Sequence, residues 1–383
     1  MNIAQAVKAA FVDQFKSKPT VSVFAPGRVN IIGEHTDYNL GHVLPFATTK
    51  GIYLCFRKSQ NKVSTIYSID YQESFELAEQ SSESPLWVRY IEQVLNNIER
   101  SVSHFQLAFG GDLPIGAGMS SSSALTCGFV TGINALFDLG MSKEELLSLA
   151  IIAERGHGVQ GGIMDQFTII NAQKDHAILL DCKTSFSTFV KIPKTFHFYL
   201  FNTNIKHNLL YTDYNNRTAE CARIITKIKI YFSHLNGLCD LTTTELNTFL
   251  HSQPETLTPT EIDRATFIIT ENERTLAAVE AIKSNNPSGL GQLMTQSHTG
   301  LKDQYEVSCT ELDWLVDAVA DHPSILGARM MGGGFGGCTI NLTTAQIPQP
   351  RIKDLQEKYF AKFGIQLSIY EVESRDGVVA EDV

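Results

Sequence analysis

Residues 114–125 read Pro-Ile-Gly-Ala-Gly-Met-Ser-Ser-Ser-Ser-Ala-Leu, and they lie between a predicted strand at 105–109 and a predicted buried helix at 124–139. Glycines let the backbone approach a ligand closely, and serines at a helix start leave N–H groups directed outward at the positive end of the helix dipole. The stretch therefore predicts a strand, a phosphate-binding loop and a helix in succession. A serine-capped helix that binds nothing is the simpler alternative.

This serine-rich loop does not match either common nucleotide-binding pattern. No Gly-Lys-Ser or Gly-Lys-Thr follows it, so no lysine of the Walker A kind reaches a terminal phosphate. Gly116 and Gly118 supply Gly-x-Gly, but Ser121 stands where the third glycine of a dinucleotide-binding fingerprint belongs. We therefore expect any phosphate bound here to be held by main-chain amides.

Two further stretches are rich in glycine. Residues 332–337 contain five glycines in six positions, and their apolar neighbours make a solvated linker an unsuitable interpretation. Residues 158–167 place Gly161 and Gly162 before a predicted helix start that carries Asp165. Taken alone, an aspartate at this position usually caps a helix or pairs with its dipole.

A cluster of ionisable residues follows an apolar run at 28–37, Arg-Val-Asn-Ile-Ile-Gly-Glu-His-Thr-Asp. Charged side chains that leave water are costly unless they find partners, so we expect Glu34, His35 and Asp37 to hold something. A metal ion is one alternative. Neighbouring residues of an extended segment point to opposite faces, which argues against one ion bound by all three.

The composition indicates a two-lobed protein without a basic surface. The chain has 383 residues, 43% of them hydrophobic, and a formal net charge of -10, so we expect neither nucleic acid nor a membrane as a partner. No run reaches the roughly 20 apolar residues of a membrane helix, and the amphipathic start at 3–15 is not an export signal. Seven cysteines without a C-x-x-C pair favour reduced thiols and a cytoplasmic location, and we expect a monomer.

The remaining patterns mix strands and helices, which predicts the α+β class. A polar stretch at 183–194 suggests two lobes, 1–190 and 191–383, of which the second contains ferredoxin-like elements. The other predicted elements are a strand at 21–25, a turn at Pro26-Gly27, an extended segment at 29–32, a helix at 214–235, a helix start at Asn286-Pro287, a capping box at Ser308–Glu311, a strand at 338–342, a helix at 351–363 and a strand at 366–372.

In this order, the motifs resemble those of the galactokinases, within the GHMP family of small-molecule kinases. The first motif, which contains Gly-Glu-His-Thr-Asp-Tyr-Asn, points to galactose or a close relative, whereas the others occur across the GHMP group. The resemblance implies a two-lobed GHMP kinase fold with mixed sheets and helices and an active site in the cleft between the lobes. The matching stretches are the first motif at 27–39, the serine-rich loop at 114–125, the third motif at 331–338, and shorter matches at 162–166, 202–204, 214–215 and 297–303.

The resemblance also implies a reaction, the transfer of the γ-phosphoryl group of ATP to the C1 hydroxyl of galactose. Asp165 would accept the hydroxyl proton, Arg28 would orient the hydroxyl, and Ser122 and Glu154 would bind Mg²⁺. The residues implied to bind galactose are Glu34, His35, Thr36, Asp37, Gly162 and Tyr214. Those implied to bind ATP are Gly116, Ala117, Gly118, Met119, Ser120, Ser121 and Ser122.

Two alternatives stay open at this point. One is a kinase for N-acetylgalactosamine or another hexose, because the residues that limit the pocket at C2 have no recognisable motif. The other is a sensor that binds galactose and ATP and transfers nothing. The segment 154–165 is also shorter than is usual in the family, and Gly161 stands where cysteine is common, which leaves the register of Glu154 open.

Overall fold

The computed structural model describes residues 2–77, 84–114, 116–156, 158, 161–205 and 210–383. The helices in these ranges are α1 (Ile3–Phe15), α2 (Leu86–Asn97), α3 (Ser121–Phe137), α4 (Lys143–Gly156), α5 (Met164–Asn171), α6 (Leu210–Ile228), α7 (Thr243–Ser252), α8 (Pro259–Lys283), α9 (Pro287–Asp303), α10 (Thr310–Val319) and α11 (Gln349–Phe363). The strands are β1 (Val21–Asn30), β2 (His42–Val43), β3 (Pro45–Lys58), β4 (Ser64–Ser68), β5 (Glu73–Leu77), β6 (Phe105–Gly111), β7 (His176–Asp181), β8 (Ser187–Lys191), β9 (His197–Asn202), β10 (Ile325–Met331), β11 (Cys338–Thr343), β12 (Ser368–Val372) and β13 (Val379–Asp382). None of the described helices combines the length and the apolar character that a membrane span requires.

The strands form three sheets, and the largest carries the start of the first motif. This sheet has the order β13-β1-β3-β6-β4-β5, in which all neighbours are antiparallel except β6 and β4. The other sheets have the orders β10-β11-β9-β12 and β2-β7-β8. Strand β13 belongs by sequence to the predicted second lobe at 191–383, yet it pairs with β1 of the first.

Strand β1 continues through Pro26 and Gly27, where the sequence predicts a turn. Its register against β3 shifts between Pro26, opposite Gly51, and Arg28, opposite Ala47, so the ladder is irregular here and the extra residues lie in β3. Proline has no N–H for a ladder, and an irregularity of this kind is one of the few places in a sheet that accommodate it. The turn prediction is therefore wrong. Arg28 stays within the strand, and its N–H donates to Met119 O at 3.2 Å.

Helices α2 to α5 pack with the six-stranded sheet in the first hydrophobic core. Helix α3 follows the serine-rich loop directly and contacts β1 and β3. Its residues Leu125, Phe129 and Ile133 are buried in this core. This packing fixes the N-terminus of α3, and with it the end of the loop.

A second core joins the two halves of the chain. Ile31 and Ile32 of the first motif are fully buried in it, together with Leu200 of β9, Val279 of α8 and Ile340 of β11. The apolar run of the first motif therefore inserts between the halves. The ionisable side chains that follow it lie at this junction.

Two predictions for the second half need correction. The capping box at Ser308–Glu311 is wrong, because Cys309 is the N-cap of α10 and the Ser308 hydroxyl donates to the Asp313 carboxylate at 2.5 Å instead. Helix α6 ends at Ile228, earlier than predicted, and residues 229–231 form a turn. The predicted start of α9 is confirmed, since the Asn286 side chain caps it.

Candidate active site

Residues from all three motifs line one cavity of about 300 Å³. The end of α4, the start of α5 and one residue of α6 complete its walls. The lining residues are Arg28, Glu34, His35, Asp37, Gly116, Gly118, Ser122, Ser123, Glu154, Gly161, Gly162, Met164, Asp165, Gln166, Tyr214, Met331, Gly332, Gly333, Gly334, Gly336 and Gly337. The fold thus brings together segments that are far apart in sequence.

An ion pair between Arg28 and Asp165 forms part of the cavity wall. Arg28 Nε lies 2.7 Å from Asp165 Oδ1, and Nη2 lies 3.1 Å from Oδ2, so the pair is bidentate. Nη1 of the same guanidinium donates to Gly118 O, and the Ser120 hydroxyl donates to Asp165 Oδ2. Burial acts to lower the pKa of Arg28, but the charges of Asp165 and Glu34 outweigh it and raise the pKa. The hydrogen bonds therefore hold both side chains in place.

Glu34 is held by the second half of the chain. Its Oε1 accepts the Gly332 N–H at 2.9 Å and a hydrogen bond from Arg329 Nη2 at 3.1 Å. Both the Glu34 and the Arg329 side chains are buried. The Glu34 side chain lines the cavity, so its carboxylate can accept from a molecule there.

His35 starts a chain of hydrogen bonds that leads away from the cavity. Its Nδ1 lies 2.8 Å from the hydroxyl of Tyr38, which lies 2.8 Å from the hydroxyl of Tyr305. The Tyr305 hydroxyl lies 3.2 Å from Cys221 Sγ. Burial, assisted by two nearby arginines, lowers the pKa of His35 to about 3, so the ring is neutral. Its Nε2 is buried and unpartnered among the described residues, which leaves it for a ligand.

Asp37, Gly162 and Tyr214 complete the wall near His35. Asp37 Oδ1 accepts the Tyr38 N–H at 2.9 Å, and burial, followed by neighbouring carboxylates, raises the pKa of Asp37 to about 7. A Cβ added at Gly162 would lie 2.2 Å from Asp37 Oδ2, so glycine is required for this approach. The rings of Tyr214 and His35 have centroids 5.7 Å apart. Carboxyl, imidazole and phenol groups thereby surround one part of the cavity.

The serine-rich loop and the third motif lie against each other. Gly118 has a φ of 67°, which residues with a Cβ rarely adopt, and Gly116 O lies 3.3 Å from where a Cβ on Gly337 would stand. Ser121 is the first residue of α3, so the unpaired N–H groups of the first helical turn lie at the loop. These features are those of a main-chain anion site. Residue 115 of the loop lies outside the described residues.

Ser122 and Glu154 both line the cavity, but the hydroxyl that donates to Glu154 Oε2, at 3.0 Å, belongs to Ser123. Glu154 Oε1 is buried and has no partner among the described residues. Burial, followed by the charge of Asp165, raises the pKa of Glu154 to about 7. An unpaired carboxylate oxygen beside a hydroxyl suits Mg²⁺, which takes few protein oxygens. The described part of the chain contains no cluster of three or more His, Cys, Asp or Glu side chains that could hold a metal.

Some residues predicted to contact ligands are not in the cavity wall. Thr36 is fully buried, and its hydroxyl lies 2.8 Å from Gly33 O and 2.7 Å from His42 O, so it braces the loop of the first motif. Residues 157, 159 and 160, within the segment that leads to Asp165, lie outside the described residues. The other predicted residues that do not line the cavity are Ala117, Met119, Ser120 and Ser121.

Two buried residues that hold the first motif, Arg329 and Glu271, were not predicted from the sequence, because neither belongs to a motif used above. Glu271 of α8 is fully buried, and its Oε1 accepts the Gly33 N–H at 3.0 Å and the Ser297 hydroxyl at 2.6 Å. A charged residue within a buried element is rare unless it is paired. That contrast between charge and apolar surroundings is the one sequence signal for these residues.

Comparisons with known proteins agree with this geometry. Family sequence models match at residues 9–58 (galactokinase galactose-binding signature), 89–173 (GHMP kinases N-terminal domain) and 278–361 (GHMP kinases C-terminal). The galactokinase of Thermotoga maritima is 38% identical over 363 residues, which cover 94% of this chain and 99% of that protein. The galactokinase of Clostridium acetobutylicum is 36% identical over 394 residues and covers 98% and 99%.

Solved structures give the same result. The crystal structure of Lactococcus lactis galactokinase complexed with galactose superposes with a TM-score of 0.90 at 30% identity, and it covers 99% of this chain and 100% of that one. The mevalonate kinase of Methanococcus jannaschii, at 18% identity and a TM-score of 0.65, shares the fold. Fold and site thus define a small-molecule kinase of the GHMP class, as predicted.

Within that class the identity is more specific. The galactose-binding signature covers the first motif, and galactokinases match over nearly the whole chain. The chain belongs to the galactokinase family, whose members are ATP-dependent sugar kinases.

Proposed function

We propose that the protein transfers the γ-phosphoryl group of ATP to the C1 hydroxyl of D-galactose, which gives galactose 1-phosphate and ADP. The bidentate Arg28–Asp165 pair carries this proposal, because it shares one cavity with the first-motif side chains and the serine-rich loop. A proton acceptor, hydroxyl-binding groups and an anion site thereby face one cavity. The galactose complex of the Lactococcus lactis galactokinase supports the choice of sugar.

Galactose binds, in this proposal, at Glu34, His35, Asp37, Gly162 and Tyr214. Sugar hydroxyls both donate and accept, so they suit carboxylates, a neutral imidazole and a phenol. His35 Nε2 has no partner among the described residues, so it can take a hydroxyl, and the Glu34 carboxylate lines the same cavity. Gly162 contributes by leaving room for the Asp37 carboxylate.

Asp165 accepts the proton of the C1 hydroxyl, while Arg28 orients this hydroxyl and offsets charge on the transferred group. A carboxylate is a weak base toward an alcohol. Phosphoryl transfer passes through a loose transition state, however, in which position and charge matter more than basicity. Two hydrogen bonds from Arg28 and one from Ser120 supply that position. As the new O–P bond forms, the proton moves to Asp165 and the bond to ADP breaks.

The triphosphate lies along residues 116–122, where main-chain amides and the start of α3 offset its charge. Ser122 and Glu154 hold Mg²⁺, because Glu154 Oε1 is a buried oxygen that lacks a partner among the described residues. When bound, Mg²⁺ neutralises charge on the phosphates. Ser123 steadies Glu154 through its hydrogen bond to Oε2.

The cellular location is also part of the proposal. All seven cysteines are free thiols, and five of them are buried. Cysteines without disulfide bonds are typical of proteins in a reducing compartment. We therefore expect the protein to act in the cytoplasm, where ATP and free sugar meet.

A coupled assay of ADP release, with galactose, N-acetylgalactosamine and mannose as acceptors, tests the activity. We expect turnover mainly with galactose, and phosphorus NMR should identify the product as a 1-phosphate. Asp165→Ala is the control, because it removes the proposed proton acceptor and leaves the rest of the cavity. A preference for N-acetylgalactosamine would redirect the substrate assignment, and galactose binding without turnover would indicate a sensor.

A further inference from the structure

We infer that Arg329 is a positioning residue that fixes the Glu34 carboxylate for sugar binding, an inference that rests on the proposed function. Arg329 lies on β10, just before the third motif, and it is the largest of the fully buried side chains in the described residues. Burying a guanidinium is expensive unless its donors are paired. Its partners therefore indicate its role.

The Arg329 guanidinium joins β10 to the end of β1. Its Nε donates to Ile31 O at 2.8 Å, and Nη2 donates to Asn30 O at 2.5 Å. Nη1 donates to Met330 O at 2.6 Å. Asn30 lies opposite Pro45 in the sheet, and proline has no N–H to offer that carbonyl. Arg329 thus supplies hydrogen-bond donors to carbonyls at the end of β1.

The same guanidinium reaches the carboxylate of Glu34. Arg329 Nη2 lies 3.1 Å from Glu34 Oε1, and the Gly332 N–H donates to this oxygen at 2.9 Å. Two donors on one oxygen fix the position of that oxygen. Glu34 lines the cavity, whereas Arg329 does not. An effect of Arg329 on a bound sugar is therefore indirect, and Glu34 is the lining side chain to which Arg329 donates a hydrogen bond.

The charge balance of the cavity makes this pairing necessary. The carboxylates of Glu34, Asp37, Glu154 and Asp165 line it, while Arg28, which is paired with Asp165, is the one arginine or lysine among the described lining residues. Without Arg329, Glu34 would remain buried with a single backbone donor. It would then rotate, and the carboxylate would no longer be held where the sugar needs an acceptor.

The inference is tested by steady-state kinetics of Arg329→Lys. Lysine keeps the charge, but its single nitrogen cannot replace a planar fork that donates to three carbonyls and a carboxylate. We expect the KM for galactose to rise at least about 10-fold, with the KM for ATP within about 2-fold of wild type. Arg264→Lys is the matched control, because Arg264 is also buried and donates to Gln304 O and the Glu306 carboxylate, neither of which lines the cavity. It should lower the melting temperature without a selective change in either KM.

A double-variant cycle separates positioning from general structural support. In a Glu34→Gln background the carboxylate that Arg329 positions is already absent, so adding Arg329→Lys should change the KM for galactose by less than about 2-fold. The inference would be overturned if the two substitutions raised the KM for galactose by independent factors. It would also be overturned if Arg329→Lys raised the KM values for galactose and ATP equally.

A second variant keeps the inference testable if Arg329→Lys does not fold. Glu34→Asp retains the charge but shortens the side chain, so its carboxylate cannot both reach Arg329 and face the sugar. A wild-type KM for galactose in Glu34→Asp would count against a fixed carboxylate. Failure of the proposed function is distinguishable, because it would appear in the wild-type protein as absent galactose-dependent turnover.

Discussion

The close contact between Gly162 and Asp37 predicts that even a methyl group added at Gly162 would disturb the proposed sugar site. A Cβ added at Gly162 would lie 2.2 Å from Asp37 Oδ2, 2.4 Å from Cγ and 2.6 Å from Cβ, whereas ordinary contacts begin at 3.4 Å. In Gly162→Ala the Asp37 side chain must therefore move by about 1 Å. It cannot retreat freely, because the Tyr38 N–H holds its Oδ1 at 2.9 Å.

The size of the effect follows from that displacement. Misplacing a positioned group by about 1 Å costs on the order of 10²-fold in rate. We expect Gly162→Ala to lower kcat/KM for galactose by about 10-fold to 100-fold, or about 1.4 to 2.7 kcal/mol. Gly162 does not have a positive φ, so alanine adds no backbone strain. The KM for ATP should stay within about 2-fold, because the added methyl group faces Asp37.

The assay is a coupled measurement of ADP release, with galactose varied at saturating ATP and ATP varied at saturating galactose. Gly110→Ala is the control variant, because its added Cβ would also be close to a neighbour, at 3.2 Å from Ile69 Cβ, but Gly110 does not line the cavity. Both KM values should be unchanged in it. A folded Gly162→Ala protein with wild-type kcat/KM for galactose would refute the reasoning.

Three more variants and a pH profile probe the same site. Asp165→Ala should abolish turnover while a nucleotide titration shows nearly unchanged ATP affinity; near-normal rates would remove Asp165 from its proposed role. Arg28→Ala should lower kcat about 10³-fold or more in the same assay, and a loss below about 10-fold would argue against charge stabilisation by this residue. Gly118→Val should raise the KM for ATP, because valine is strained at a φ of 67°; an unchanged KM would separate the loop from the nucleotide. Burial, followed by the charge of Asp165, raises the pKa values of Asp37 and Glu154 to about 7, so the ligand-free folded protein holds protons that the unfolded chain has released. The free energy of unfolding should therefore fall as pH rises from about 4 to about 7, and the double variant Asp37→Asn, Glu154→Gln should flatten this part of a melting-temperature profile; an unaltered slope would speak against these assignments.

Sequence patterns predict those elements whose causes are local. The strand predicted at 105–109 and the helix predicted at 124–139 correspond to β6 and α3, because periodicity and turn residues act between neighbours. The prediction at Pro26-Gly27 failed for the opposite reason. A proline followed by glycine is typical of a turn, and only the pairing with β3 keeps these two residues within a strand.

The candidate site shows the same division. The family resemblance located Arg28 and Asp165, and the structure places them in one ion pair. The resemblance could not locate the buried side chains that hold the first motif. Arg329 is 295 positions from its partner Glu34 in sequence, and Glu271 is 238 positions from its partner Gly33. A contact over such distances leaves no period in a single sequence, and its partners become apparent only when the two halves pack together.

The pairing of β13 with β1 bears on how the molecule can be divided experimentally. Strand β1 has β3 on one side and β13 on the other, with Val21 opposite Asp382 and Phe24 opposite Val379. A recombinant fragment of residues 1–190 would leave this edge of β1 bare, as a template for intermolecular pairing. Split-protein complementation, with a synthetic peptide of residues 379–383 supplied in trans, would restore the missing neighbour.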